Sequence, residues 1–498
     1  MSASQIDPLP QSPQYGRSRW LVLAGVGLGT LMGTLGSSIV NITLPTLQQT
    51  FTTNLATVEW VILSYTLVIT ALTLGAARLG DMRNKKNLYL GGLFLFTLGS
   101  FLCAISPHIY ALVGFRVVQG LGAAFTTALG FAIVTQVFPA EERGRALGML
   151  GTTVSVGIAS GPPLGGLIIG ALGWHWVFMV NVPIGLISLL FVYRFVPNLH
   201  ASHSNQSFDL FGAAVLFAAL SLYALGMMIG QDHGFNQLAA QACLGAGLLG
   251  LLVFILIERR TPQPMIDLSL FRDLLFDLNL LMGFLVSSVL AGLFILPYYL
   301  QIVKGYPTLL VGILMMVDPI GLGIVAPLAG ILSDRFGPRL ISICGLSVVT
   351  VGCLTLGALQ LDTSGVGFVL HMVPIGLGMG LFMSPNNSAV MGAVPKERLG
   401  ITSGLLSMTR LLGNTTGLPL MGAIFSSLVL AKAGLPSGTD LLTAPPASLV
   451  TGTQGAFHTA AVGVGAAVLV AIAAFSLDAR RRKSSPNLSP EFGSGDRG

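Results

Sequence analysis

FPAEERGRALGMLGTTVSVGIASGPPLGG, residues 138–166, and VPKERLGITSGLLSMTRLLGNTTGLPLMG, residues 394–422, align without a gap at an offset of 256. Pro139 meets Pro395 and Glu141 meets Glu397. Gly144, Gly148, Gly157 and Gly161 meet Gly400, Gly404, Gly413 and Gly417. Pro163 meets Pro419, and Gly166 meets Gly422. In so apolar a chain, matched leucines arise by chance, but glycines and prolines held in one register do not. Upstream, Gly120 and Gly122 meet Gly376 and Gly378, and ARLGDMRNKK from Ala77 returns as GILSDRFGPR from Gly330 at an offset of 253. The chain is therefore an internal duplication, and its fold is two copies of one unit.

The solvent of that unit follows from composition. Of 498 residues, 53% are hydrophobic and 9% charged, against roughly 25% charged in soluble domains. Mean hydropathy is +0.81. Too few charges exist to cover a water-soluble globule, and disorder would need low hydrophobicity. An all-α polytopic membrane protein remains. A spanning helix takes about 20 apolar residues. Fourteen such segments are expected at 20–40, 58–79, 88–106, 109–137, 146–171, 174–196, 209–230, 239–257, 277–303, 309–332, 340–361, 365–394, 400–430 and 456–478, numbered helices 1 to 14.

Basic residues test this count. With the N-terminus in the cytoplasm, 21 of the 25 Lys and Arg fall in cytoplasmic loops and tails. Lys304 and Lys432 fall opposite, and Arg116 and Arg410 lie inside segments. Cytoplasmic loops are the ones enriched in Lys and Arg. A miscount of one helix would scramble the alternation, so both termini are expected to be cytoplasmic. Both copies of the basic loop then face the same side, and the repeat is parallel, about an axis along the membrane normal. Helices 1–6 pair with helices 9–14. The expected divisions are a tail at 1–19, a six-helix bundle at 20–200, a two-helix insert at 201–265, a second bundle at 266–480 and a tail at 481–498.

Other classes lose ground on the same residues. The net charge of +6 is absorbed by the loops, so no nucleic-acid partner is expected. Cys103, Cys243, Cys344 and Cys353 sit in apolar runs at no metal-ligand spacing, and no metal or cofactor is expected. The polar start of the chain lacks the basic region of a signal peptide. None of the six lysines stands in G-K-S or G-K-T, so the phosphate loop of a primary pump is missing. Neither H-E-x-x-H nor G-x-S-x-G occurs.

The motifs resemble those of the major facilitator superfamily, and more narrowly its fourteen-helix drug:proton antiporter branch, over about residues 20–480. R-L-G-D-M-R-N-K-K from Arg78 is similar to the family's G-x-L-x-D-R-x-G-R-K loop, with Met82 and Asn84 in place of Arg and Gly. Its second copy, G-I-L-S-D-R-F-G-P-R, lies closer to the pattern. Helix 4 has R-x-x-Q-G-x-G from Arg116, and helix 5 has G-I-A-S-G-P-P-L-G-G. W-H-W-V-F-M-V-N-V-P-I-G from Trp174 resembles W-R-W-x-F-x-x-N-x-P, with His175 in place of Arg. Helix 1 reads L-G-S-S-I-V-N-I-T-L-P, with Gly36 where drug-exporting relatives usually carry an acid.

The resemblance implies a major facilitator fold of two six-helix bundles with a two-helix central insert, working by alternating access. It implies an inner gate in which Asp81 faces the start of helix 13 and Asp334 the start of helix 5, with Arg83, Arg335 and Arg339 tethering them. A carboxylate beside a helix N-terminus is electrostatically favourable. Gly157, Gly161, Gly165 and Gly166 permit close helix approach, and Pro162 and Pro163 bend the helix. Charges inside a span usually face a cavity or a partner. Asp318, Arg116, Arg410 and Glu59 are therefore candidates for proton coupling or cavity charge. With Gly36 replacing the acid, Asp318, nearest mid-membrane, is the expected proton carrier, with His371 in reserve. Asn41, Tyr65, Gln119, Asn181, Asn386, Asn387 and Asn414 are candidates to line a substrate cavity.

The expected function is secondary active transport, proton-coupled efflux of small lipophilic molecules from the cytoplasm of a bacterium across its inner membrane, by a monomer. Alternatives are a symporter or uniporter of a polar metabolite and, from another class, a non-transporting membrane sensor.

Overall fold

The computed structural model describes residues 18–198, 209–261, 268–394, 399–436 and 439–484. Among these residues no strand occurs. Fourteen helices are long and apolar enough to cross a membrane, and each coincides with an expected segment. Helices 1 to 6 are Arg19–Phe51, Leu55–Thr73, Lys85–Ala104, Ile109–Val137, Arg145–Leu172 and His175–Phe195. Helices 7 and 8, the insert, are Phe211–His233 and Leu238–Arg260. Helices 9 to 14 are Leu274–Val303, Thr308–Phe336, Pro338–Leu356, Gly365–Gly392, Gly404–Ala433 and Pro446–Ala479. The polar tails at 1–17 and 485–498, His200, His203, Lys396 and Arg398 lie outside the described residues.

Several helices outrun their expected edges. Helix 1 continues through Pro45 to Phe51, beyond the expected residue 40. Helix 2 continues as helix to Met82. Helix 14 begins at Pro446, ten residues early, in a stretch whose Gly and Thr content hid its helicity. Helix 10 breaks at Met316, between Thr308–Met315 and Val317–Phe336, because Pro319 supplies no amide to the turn before it.

Polar residues at the connections set the helix starts. The Asn54 side chain accepts from the Thr57 amide at 2.8 Å, and Asn84 accepts from that of Lys86 at 3.0 Å. Capping by an N-terminal Asn satisfies amides that the helix leaves open. Asn84, a departure from the family pattern, thus starts helix 3. Its repeat partner Gly337 solves the same turn differently, with φ 87° followed by Pro338 at the head of helix 11. That left-handed backbone suits glycine.

Fourteen crossings return the chain to the face where helix 1 starts, here the near face; the opposite one is the far face. Buried apolar side chains divide accordingly. On the far side one continuous core runs through both bundles, from Ile39, Leu44, Val58 and Val61 to Leu296, Val311, Phe425 and Phe457. On the near side the cores are separate. One holds Val22, Tyr89, Ile133 and Leu150, reached from the other bundle by Leu411; the other holds Leu270, Phe276, Val390 and Leu405. The bundles are thus joined at the far end and apart at the near end.

Two seams make the far junction, where helix 5 packs on helix 10 and helix 13 on helix 2. The insert breaks this symmetry. Helix 7 lies along the second seam, where Leu216, Leu220 and Ala224 pack with Leu67 and Ala71 of helix 2 and Met408 of helix 13. Helix 8 packs on helix 7. As a result 78% of the most apolar stretch of helix 2 is buried, against 17% for its repeat partner, helix 10.

Candidate transport pathway and its seams

The helix 5 glycines form a smooth track. A Cβ on Gly157 would collide with the Thr34 hydroxyl, and one on Gly161 with that of Ser38. On Gly165 it would meet Ile39 and Ile42, so helices 1 and 5 touch along a bare face. Gly166 turns to the other bundle, its Cα against the main chain of Thr308, whose hydroxyl donates to the Gly166 carbonyl at 3.0 Å. Gly312 of helix 10 answers, resting on the main chain of Pro162 and Pro163. The motif therefore forms both a seam within its own bundle and part of the far junction.

The rest of the far junction, around the second seam, is polar. Tyr298 of helix 9 donates to Gln48 Oε1 at 2.8 Å, and Gln48 Nε2 donates to Asp440 at 2.8 Å. Gln301 Nε2 donates to the Ile42 carbonyl at 3.3 Å. Asn54 donates to Asp232 of the insert at 3.0 Å, and the Tyr223 and Thr416 hydroxyls pair at 3.1 Å. Glu59 lies between helices 2 and 13, fully buried. Gln48, Gln231, Tyr298 and Asp440 had no sequence signal, since each is an isolated polar residue whose partner is remote in the chain.

Arg116 is held inside the N-terminal bundle. Its Nε donates to the Val61 carbonyl at 2.7 Å, and Nη1 donates to Gln119 Oε1 at 2.6 Å. Gln119 Nε2 passes a bond to Ser100 at 2.7 Å. The guanidinium stacks over Tyr65 with 4.0 Å to the ring centre, and the Tyr65 hydroxyl donates to the Gly33 carbonyl at 3.3 Å. Arg116, Gln119 and Tyr65 are all buried. Four helices are clamped by one cation, and the two uncharged partners are enclosed rather than facing a cavity.

On the near side of the C-terminal bundle, a narrow cavity of about 20 Å³, room for about one water in this state, is walled by Gly283, Met379, Phe382, Asn386, Asn387 and Arg410 among others. Arg410 Nη2 donates to Asn387 Oδ1 at 2.5 Å. Asn386 is buried with its Oδ1 unpartnered. A cation and two amides thus sit in a wall of Met, Phe and Leu. Asn41 and Asn414 are exposed, whereas Asn181 is buried with both amide atoms unpartnered.

Asp318 follows the helix 10 break, half-buried, with Oδ1 unpartnered; Gly376 of helix 12 packs on its main chain. Arg116 bonds to Val61 and Gln119 and Arg410 to Asn387, so their described bonds do not run to Asp318. His371 Nδ1 pairs with the Gly367 carbonyl of its own helix at 2.6 Å. At the near face, Arg83, Asp334 and Arg335 are exposed, and Arg339 pairs with Asp478 inside its own bundle. Arg19 pairs with Glu142 at 2.8 Å, likewise within one bundle. Asp81 ends helix 2, and its side chain lies outside the described ones. Among the described residues, no cluster of His, Cys, Asp or Glu could hold a metal.

Comparison with known proteins agrees with this architecture. The Major Facilitator Superfamily model matches residues 26–418 and 320–494. The riboflavin transporter RibZ of Clostridioides difficile is 34% identical over 414 residues, covering 82% of this chain and 89% of that one. The multidrug resistance protein Stp of Mycobacterium tuberculosis is 33% identical, covering 82% and 76%. The tetracenomycin C resistance and export protein of Streptomyces glaucescens is 30% identical, covering 84% and 78%. Among solved structures, a bacterial homologue of the lysosomal transporter Spinster, inward-facing, superposes with a TM-score of 0.65 at 17% identity, over 96% of this chain and all of that one. With a duplicated six-helix bundle, a two-helix insert and these matches, the chain belongs to the Major Facilitator Superfamily.

Proposed function

We propose that this transporter exports small, largely apolar molecules from the cytoplasm by alternating access, driven by proton entry, with the near face cytoplasmic. The division of the cores carries the reading. A carrier open to one side needs its halves joined at the other end, and this chain has a shared far core with separate near cores. The basic loops lie on the open side. The cavity chemistry supports an apolar body with a polar edge, since Arg410, Asn386 and Asn387 stand among Met379, Phe382 and Met383. Asp318, with Oδ1 unpartnered among the described residues, is the candidate for the transported proton, and exposed Asp334 and Arg335 are the candidate inner-gate groups. The bacterial relatives named for multidrug resistance and for tetracenomycin C resistance and export support efflux and an inner-membrane location.

A second reading is favoured by the same polar edge. A planar heteroaromatic solute would meet both the amides and the apolar wall, and one relative is a riboflavin transporter. Proteoliposomes separate the two. Efflux requires uphill movement of a lipophilic dye when the pH gradient is imposed and none when it is collapsed. Riboflavin uptake that ignores the dye would support the second reading and sink the first.

A further inference from the structure

The two far seams differ in one respect that packing alone does not require. In the helix 5/helix 10 seam the contact is backbone on backbone, Gly312 against Pro162. At the repeat offset of 253, the counterpart of Gly312 is Glu59. Glu59 is completely buried, and neither carboxylate oxygen has a hydrogen-bond partner among the described residues. Gln231, from the insert, lies beside it, and its amide is the polar group that acts on the carboxyl. Both side chains converge on the bare Cα of Gly422. A Cβ there would stand 2.5 Å from Gln231 Nε2 and 2.6 Å from Glu59 Oε1.

The groups facing Glu59 do not neutralise it. Helix 9 presents Tyr298, whose hydroxyl is bonded to Gln48, and the connection after helix 13 presents Asp440. Helix 7 ends in Asp232, bonded to Asn54, and His233, whose Nδ1 lies 3.5 Å from Asp232. None of these is a lysine or arginine. A buried anion without a cation is strongly disfavoured, so the closed seam accommodates the neutral acid. Just beyond lies a cavity of about 450 Å³ at the far face, walled by Asn54, Gln231, Asp232, Phe235, Ile424 and Ser427 among others. Gln231 stands between that cavity and the carboxyl.

We propose that Glu59 is a proton-binding site of the far seal, reached by water from the far side through this cavity, with the Gln231 amide of the two-helix insert positioning that water at the carboxyl. A far-side hydronium gives up one O–H bond as a Glu59 carboxylate oxygen gains one, leaving a water molecule and the neutral acid. The neutral acid then fits the seam over Gly422, and the bundles close. Loss of that proton restores a charge the closed seam cannot hold, and the seam opens. The insert thereby acquires a role as the wall of the proton entrance. This rests on the proton-driven reading above but assigns the gate to Glu59 and leaves the transported proton to Asp318.

The test uses full-length protein in nanodiscs, spin-labelled at Tyr110→Cys and Asp362→Cys, both exposed at the far ends of opposite bundles, with Cys243 and Cys344 replaced. Going from acidic to alkaline buffer should lengthen the far-face distance in otherwise native protein. Glu59→Gln, neutral at every pH, should stay at the short distance throughout, and Glu59→Asp should keep the response. After a pH jump, Gln231→Met should reach the same end points more slowly. A native-sized response in Glu59→Gln overturns the site, and native-speed exchange in Gln231→Met overturns the role of Gln231 at the entrance. Asp318→Asn distinguishes the two proposals. It should lose uphill flux in proteoliposomes while keeping the far-face response. A native protein whose gate responds to pH but whose flux ignores it would refute proton-driven export and leave the Glu59 gate standing. A silent gate with proton-driven flux would refute the gate alone.

Discussion

Tyr298 donates a 2.8 Å hydrogen bond to Gln48 Oε1, joining helix 9 to helix 1 across the two bundles, and Gln48 passes a bond of the same length to Asp440. At the near face the described ion pairs, Arg19–Glu142 and Arg339–Asp478, each stay within one bundle. Polar contacts between bundles thus concentrate at the end where the apolar core is shared. They are made only when the far side closes, so they bear on the balance between conformations more than on folding.

Tyr298→Phe should weaken the far junction without disturbing the fold. It removes one donor and leaves Gln48 Oε1 unsatisfied, a cost of about 1–3 kcal/mol to the closed far face. Distance spectroscopy between far-face labels should show a larger open fraction. Gln48→Leu together with Tyr298→Phe should restore only part of the closed state, because the orphaned Oε1 is gone while Asp440 still loses its bond from Gln48 Nε2.

Gly166→Ala should act at the other seam in the same direction. A Cβ there collides with the Thr308 main chain, which cannot move as a side chain would. Overpacking of this kind costs about 1–3 kcal/mol. Far-face labels should report opening, and accessibility of near-face cysteines should fall. Gly170→Ala, with only the Thr308 hydroxyl near its Cβ at 3.2 Å, should change little.

Arg116→Met should reduce stability before it affects transport specificity. The Val61 carbonyl and Gln119 amide lose their partner inside a closed site, at about 1–3 kcal/mol for each buried group left open. Arg116→Lys should rescue incompletely, because an ammonium cannot hold both bonds while stacking flat on Tyr65. Thermal unfolding in detergent measures both. A native melting temperature in Arg116→Met would refute the clamp.

Asp334→Asn tests the inner gate. Asp334 is exposed in the near-open state, so that state should keep its stability. The near-closed state would lose a charge-assisted hydrogen bond, about 1.5–3 kcal/mol. Near-face distances should lengthen on average and turnover fall, with insertion unchanged.

Labelling fixes the orientation. A cysteine at Asp362 should react with an impermeant thiol reagent on intact cells, and one at Arg335 only after the cells are opened. The reverse pattern would put the near face outside.

The sequence by itself determined the parts that depend on solvent and repetition. Fourteen apolar stretches must be helices, because a bilayer offers backbone groups no other partner. The Gly and Pro register at 138–166 and 394–422 revealed the duplication, because only residues without ordinary side chains or amides are held so closely to position. Tertiary structure decided the rest. Arg116 and Gln119 read as cavity residues until the Val61 carbonyl, remote in the chain, was found bonded to the arginine. Glu59 was one of four candidate charges by sequence, and only the packing of helices 7 and 13 shows it enclosed beside Gln231 and Gly422. Gln48, Tyr298 and Asp440 are single polar residues in unrelated stretches, and no spacing rule connects them. A side chain's helix and depth follow from local sequence. What it faces follows from how two copies of one bundle tilt against each other and where the insert lies along their seam.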